Sequence, residues 1–434
     1  MATRHVRPAL LLGCALLVVT PAVLAKKYIE VWDPVSPANM HGKGLIAVYD
    51  AWNKKHPEMP VKRTAIGDPT QKLMAAMAAG TVPDLVYFDR FIIPSYAAKN
   101  LFTPLDSYIK TSQILKADVF WPAAWEETAY AGKHWAIPHQ VDDRTLVIVD
   151  RVAQQSGLDP DSPPKTLEDL EQWARKMTVK DANGAIKRLG FAPSRGNWFY
   201  YGWLWNFGGQ LLNPDKTKPA FNSPEGKAAL NWIVDYTNRV LGGFPTLSKA
   251  ESKFGDTYGK KGPFQQEQLG MEIEGDWMIW QMKTYGPDVA YTMAPIPAPA
   301  GRKSITWCGG WSWVIPKGAK NLKDAWKFLE FQGSDEGQTL FAVVSGRIPA
   351  RKASAYNPEF LSFDPKRQRH MVDSVNTGIF RPTTPVGQKM WDALNYQMMD
   401  SVKSGKRSPE QALDLANQQV AQEISRYKVR LDGK

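Results

Sequence analysis

Residues 198 to 207 of this 434-residue chain hold seven aromatic side chains, Trp198, Phe199, Tyr200, Tyr201, Trp203, Trp205 and Phe207, and the whole sequence carries 17 tryptophans. Flat apolar rings beside planar polar groups such as Asp, Glu, Arg and Asn make a surface that suits a pyranose, with its apolar C–H face and its rim of hydroxyls. The same spacing has a plainer meaning. Trp198, Tyr201 and Trp205 share one face of a helix, and an aromatic stripe at that period is commonly core. Catalytic patterns are missing: there is no His-Glu-x-x-His, no Gly-x-Ser-x-Gly, no Gly-x-x-x-x-Gly-Lys and no Cys pair. Only His134 and His139 are close neighbours among the histidines after the first few residues, a poor zinc site without further ligands. The expectation is a non-enzymatic binding protein with no metal and no cofactor, although the paired carboxylates of a glycoside hydrolase or lyase are set in space and not by spacing.

The elements that must position these residues are readable in outline. Tyr28-Ile29-Glu30-Val31-Trp32 alternates like a strand, and Leu45, Val48, Tyr49 and Trp52 recur at helical spacing. A helix over 71–79 closes at Gly80, and Pro83-Asp84 introduces an apolar strand over 85–88. Thr166 to Asp169 forms a capping box, Ser223-Pro224 opens another helix, Asn321 a third, and Ser408-Pro409-Glu410-Gln411 the last amphipathic one. The turn-rich 294–301 reads as an internal linker. Strands alternating with helices indicate an α/β protein with a mostly parallel sheet. A chain of 434 residues exceeds the roughly 250–300 at which single cores stop growing, so two lobes and a cleft between them are expected.

Arg4, His5 and Arg7 precede an apolar run over 9–19, and Val23 and Ala25 provide small residues for cleavage. Residues 1–25 therefore read as a signal peptide, with a periplasmic mature chain from Lys26. Leu11-Leu12-Gly13-Cys14 has the form of a lipoprotein box, but the apolar run continues past it, so cleavage after Ala25 and not acylation of Cys14 is expected. Cys308 is then the one cysteine left, which rules out an internal disulfide. The net charge of +11 becomes +9 once Arg4 and Arg7 are lost (11 − 2). Because basic and acidic residues are interspersed, a solvated surface and no nucleic-acid partner is the expectation, with an anionic ligand as the weaker reading.

Several stretches together carry a resemblance. They are Ala79-Gly80-Thr81-Val82-Pro83-Asp84 leading to Asp89-Arg90-Phe91; Pro104-Leu105-Asp106 followed by Gly132-Lys133-His134-Trp135-Ala136-Ile137-Pro138; Gly275-Asp276-Trp277; Gly309-Gly310-Trp311-Ser312-Trp313-Val314-Ile315-Pro316; and Ser345-Gly346-Arg347-Ile348-Pro349-Ala350-Arg351. In this order the chain resembles the family 1 extracellular solute-binding proteins, the maltose-binding-protein-like receptors of ABC sugar importers. The resemblance implies a two-lobed periplasmic-binding-protein type II fold with a hinge and an interlobe ligand cleft, a carbohydrate ligand, transmembrane permease subunits as partners, and a monomer. It places lobe 1 at 26–139 plus 290–344 and lobe 2 at 140–289 plus 345–434, with crossings near Val141-Asp142-Asp143 and 290–294.

Carried over by resemblance, ligand contacts fall on Trp32 and Asp33 after the first strand, on Asp89 and Arg90, on Asp142 beside the hinge, on Trp198, on Trp277 with Glu274 and Asp276 beside it, and on Trp391. Asp142 has a second reading as a structural tie across the hinge. Arg347 is equally divided. Gly310 and Trp311 offer either backbone amides or an indole, whereas Trp313 reads as packing. His41 sits where a loop after the first strand reaches the groove. Pro34 and Pro37 in that loop and the dense aromatic cluster depart from the maltose-binding pattern, so the family supports a sugar more firmly than maltose. Arg90, Arg144, Arg195 and Arg347 are the groups that would serve a glycerol phosphate or another anionic sugar derivative.

Overall fold

Val31 and Leu85 face each other near the middle of a five-stranded sheet ordered Val61–Ala65, Ile29–Asp33, Leu85–Asp89, Trp311–Val314 and Ile137–Pro138. The computed structural model describes residues 28–432 apart from 68 and 258. The signal peptide, the Cys14 box and the cleavage point after Ala25 lie outside the described residues. Ile29–Asp33 runs parallel to both of its neighbours, while Trp311–Val314 runs antiparallel to both of its own. Asp33 and Asp89 thus end parallel strands, and Asp89 pairs in register with Trp311. Crevices at the carboxyl ends of such strands, where the strand order switches, are where α/β sheets take ligands.

A second sheet holds Met271–Gly275, Arg144–Val149 and Tyr291–Ala294, both outer strands antiparallel to a fully buried central one. Its apolar strands pack with helices of residues 150–250 and 387–432 around Trp198, Trp203, Tyr236 and Met278. The first sheet has its own interior around Leu45, Tyr87, Trp313, Phe328 and Phe341. The molecule is therefore two α/β lobes.

Local chemistry explains where the helices begin. Asn39 caps Met40–Lys55 by accepting from the Gly42 amide at 2.8 Å, and Leu45, Val48, Tyr49 and Trp52 form the buried face expected from their spacing. Thr166 and Asp169 make both bonds of the capping box ahead of Leu167–Met177. Ser408 and Gln411 do the same ahead of Pro409–Asp432, at 3.2 and 3.1 Å. Against Met40–Lys55 lies Asp335–Ser345, so close at Gly44 that a Cβ there would sit 2.7 Å from the Ser345 Cβ. This contact brings Asn39, His41 and Ser345 to one edge.

The chain passes between the two interiors at 139–143, 307–310 and 376–385. The first two passages are hydrogen-bonded to each other, Asp142 N to Gly309 O at 3.2 Å and Gly309 N to Asp142 O at 3.0 Å. Residues 290–294, expected as a crossing within lobe 1, are instead an edge strand of the second sheet. Tyr291–Ala294 pairs along Leu146–Val149, and the passage follows it at Trp307–Gly310. Residues 345–375, expected with lobe 2, pack Ile348, Phe360, Met371 and Val375 into the first interior. The first difference comes from strand pairing and the second from side-chain packing, both between residues far apart in the chain. Among the described residues no helix is long and apolar enough to cross a membrane.

Candidate functional site

A cavity of about 450 Å³ opens between the lobes, within the ~300–1,000 Å³ typical of small-molecule clefts. The first lobe contributes Asn39, Met40, His41, Asp89, Gly310, Trp311 and Ser345. The second contributes Arg144, Asn197, Phe199, Trp277, Trp280, Gln281, Trp307 and Trp391. Asp142, Arg347 and Arg381 stand at or beside the crossings. Five indoles and a phenyl ring thus share the space with three guanidinium groups and two carboxylates.

Each ring is fixed by what lies behind it. Trp311 stacks on Tyr87 at 5.2 Å and 23°, and Tyr87 is locked by His41 Nε2 at 3.2 Å and His139 Nδ1 at 2.9 Å. Burial, then Arg347 and His139, keep the His41 imidazole well below its ordinary value, so it lines the cleft uncharged at neutral pH. Trp391 rests against Phe199 at 4.7 Å and Tyr201 at 5.4 Å. Trp277 donates its indole N–H to Glu274 at 3.0 Å, and the guanidiniums of Arg144 and Arg347 lie 5.3 and 5.0 Å from its ring centre. The Arg144 guanidinium lies flat against Trp307, 3.3 Å from the ring centre.

Charge in the cleft is paired. Arg381 grips both oxygens of Asp89, at 2.7 and 3.4 Å. Arg144 Nη1 donates to Asp142 Oδ1, while its Nε and Nη2 donate to Asn197 Oδ1 at 3.0 and 2.8 Å. Arg347 bridges Asp142 at 3.5 Å and Asp276 at 3.2 Å. Burial alone would raise the Asp142 carboxyl, yet Arg144 and then Arg347 hold it well below the usual carboxylate range.

Asp276 is the counterpart. Burial pushes it up to about 6 against the pull of Arg347. Its folded value exceeds its ordinary 3.8, so the folded state keeps a proton that the unfolded chain has lost. The stability from this group is full below about 4 and disappears as pH rises through about 6, a swing of roughly 3 kcal/mol at ~1.4 kcal/mol per unit. Urea unfolding at pH 4 and pH 7 should show this component in the unmodified protein and lose it in Asp276→Asn. Parallel profiles for the two proteins would contradict the assignment.

Of the residues nominated from the sequence, His41, Asp89, Asp142, Trp277, Gly310, Trp311, Arg347 and Trp391 line this cavity. The others stand elsewhere. Trp198 is fully buried in the second interior, edge-on to Trp203 at 6.1 Å, with Gly202 leaving room for its ring. Asp33 is buried on Arg63 at 2.6 Å and Tyr49 at 3.3 Å. Trp32 packs beside the first sheet and donates to Glu30 at 3.0 Å. Arg90 lies behind the cleft floor, bound to Glu127 at 3.0 Å and to the carbonyls of Gln140 and Gly309. Glu274 and Asp276 sit one layer out, holding Trp277 and Arg347.

Some lining residues carried a readable signal. Trp280 and Gln281 follow Trp277 at i+3 and i+4 on the helix Trp277–Tyr285, hence on its face. Trp307 and Arg381 had none, since only the pairing of Trp307–Cys308 with Ile379–Phe380 brings them to the crossing. Among the described residues no group of three or more His, Cys, Asp or Glu is arranged to hold a metal ion.

Residues 47–368 match the family model described as bacterial extracellular solute-binding protein. The chain is 24% identical over 420 residues to the arabinooligosaccharide-binding protein of Bacillus subtilis (strain 168), spanning 88% of this chain and 90% of that one. It is 22% identical over an alignment of 463 residues to the sn-glycerol-3-phosphate-binding periplasmic protein UgpB of Escherichia coli O6:K15:H31 (strain 536 / UPEC), with 98% of each covered. Among solved structures it matches CpMnBP1 with mannotriose bound, at a TM-score of 0.79 and 26% identity over 91% of this chain and 100% of that chain.

Proposed function

We propose that this chain, which belongs to the bacterial extracellular solute-binding protein family, captures a mono- or oligosaccharide between its two lobes and presents the closed form to the permease subunits of an ABC importer. One observation carries the reading. Indoles from both lobes, Trp311 on one side and Trp277, Trp280, Trp307 and Trp391 on the other, share a single cavity with paired carboxylates and guanidiniums. Such a surface offers sugar rings both flat apolar platforms and planar hydrogen-bonding partners. Closure follows from the geometry: only with both lobes in contact does the second face of a ring leave water, so the ligand selects the closed form.

The matched relatives are binding proteins, and the reading includes no catalytic step. Export by the signal peptide to the periplasm, an unacylated Cys14 and a monomeric state belong to the same proposal. The ligand-binding set is His41, Asp89, Asp142, Trp277, Gly310, Trp311, Arg347 and Trp391, joined by Arg144, Asn197 and Trp307.

A panel of mono-, di- and oligosaccharides plus glycerol phosphates, followed by melting temperature and tryptophan fluorescence, tests the reading. A neutral sugar that stabilises the protein and is recovered unchanged is the expected result. New reducing ends or unsaturated products would mark an enzyme, and no response to any sugar would remove the carbohydrate. With the sugar in hand, Trp391→Ala and Trp311→Ala should each lose about 1–3 kcal/mol of binding, the worth of one large apolar platform. Unchanged affinity in both variants would take these rings out of the site.

A further inference from the structure

The interlobe cavity carries much fixed charge for a space that takes a sugar. A guanidinium facing open space is an anion site by default, because its planar fork grips two oxygens of a phosphate or carboxylate at once. Here each of the three is already held. Arg381 is tied to Asp89 at 2.7 and 3.4 Å, with Glu127 behind it at 3.8 Å. Arg347 lies between Asp276 at 3.2 Å and Asp142 Oδ2 at 3.5 Å. Arg144 donates to Asp142 Oδ1 and to Asn197.

Asp142 is the shared member. Its two oxygens serve two arginines from different parts of the chain, and the Gly309 amide adds a donor at 3.1 Å. Without its charge, Arg347 would keep its ion pair to Asp276 at 3.2 Å, and Arg144 would keep its hydrogen bonds to the neutral Asn197.

We propose that Asp142 is a specificity-determining residue, which by neutralising Arg144 and Arg347 together makes the cleft refuse anionic sugar derivatives and leaves arginine N–H groups for the hydroxyls of an uncharged one. This rests on the carbohydrate reading of the cavity and narrows it to neutral sugars. An incoming phosphate must displace Asp142 or lie beside its like charge in partly desolvated space, whereas a hydroxyl does neither. Of the five guanidinium N–H groups, Arg144 engages Nε and one on each terminal nitrogen. One N–H on each terminal nitrogen remains to donate to a hydroxyl.

Asp142→Asn keeps the shape of the side chain and removes its charge. Calorimetric titrations of sulfate and glycerol 3-phosphate into the unmodified protein, D142N and D142N/R144Q, with melting temperatures recorded for each, test the filter. The expected gain in D142N is about tenfold or more for both anions, falling as salt is added, and it disappears in D142N/R144Q. Three results overturn the proposal: D142N that melts like the unmodified protein and shows no gain, glycerol 3-phosphate bound as tightly by the unmodified protein as by D142N, or a gain that survives in the double variant. Asp142→Ser carries the same test should the asparagine disturb the crossing. A protein that binds no neutral sugar contradicts the carbohydrate reading itself. One that binds neutral sugars but shows no gain in D142N contradicts only the filter.

Discussion

Arg90→Leu is expected to destabilise the protein by about 3–5 kcal/mol, the cost of leaving one member of a buried ion pair without its partner. The Arg90 side chain is 0% exposed and its partner Glu127 is 3% exposed, so neither charge is screened by water. Nε reaches Glu127 at 3.0 Å, Nη1 donates to the Gln140 carbonyl and Nη2 to that of Gly309. One guanidinium therefore joins the first lobe to both of the hydrogen-bonded passages between lobes. After substitution the nearest cation to Glu127 is Arg381, at 3.8 Å, and two buried carbonyls lose a charged donor. Urea unfolding should show the midpoint falling with the slope unchanged. A residue that merely touched ligand would behave in the opposite way, losing affinity with a change in stability below about 1 kcal/mol. That second outcome would restore Arg90 to the ligand-binding set.

The placement of Arg90 shows where reading the chain by spacing and resemblance succeeds and where it stops. What depends on a few consecutive residues is legible: the Asn39, Thr166 and Ser408 caps, the buried stripe of Leu45, Val48, Tyr49 and Trp52, and the left-handed Gly80 that closes Pro69–Ala79. Two lobes follow from chain length and from strands alternating with helices. The order of strands is not legible, because Trp311–Val314 enters the first sheet more than 200 residues after its neighbour Leu85–Asp89. The same long-range pairing moved the second passage from 290–294 to Trp307–Gly310.

In the site, residue type was a better guide than exact position. Resemblance nominated Trp277 and Trp391, the glycines before Trp311 nominated that residue, and all three line the cavity, but resemblance also nominated Trp198, whose ring is in the core. Its neighbours Asn197 and Phe199 line the cleft instead, in the irregular stretch that leads into the helix Tyr200–Asn206. Asp142 ties Arg144 and Arg347 beside the crossing and also lines the cavity, so its place in the ligand-binding set stays part of the proposal. Arg381 stayed hidden because a lone arginine in a loop has no pattern. Its role depends on Asp89, almost 300 residues away.

Gly310→Ala is expected to cost about 3–5 kcal/mol, from backbone strain and overpacking together. Gly310 has φ +141°, a conformation open to glycine and strained for any other residue. A Cβ there would lie 2.1 Å from the Gln140 carbonyl oxygen and 2.4 Å from Arg90 Nη1. Neither can move aside: the carbonyl belongs to the neighbouring passage, and the guanidinium is pinned by Glu127 and Gly309. Gly301 separates the two contributions. It too has positive φ, +79°, but a Cβ there meets nothing within 4 Å, so Gly301→Ala should show the backbone cost alone, about 1–3 kcal/mol. The excess at Gly310 measures how tightly the passages are packed. It should be accompanied by weaker sugar binding, because Gly310 and Trp311 line the cavity and any shift of one passage displaces the Trp311 platform. Equal losses in the two variants would mean that the Arg90 clamp yields, and that the passages between the lobes are looser than this geometry requires.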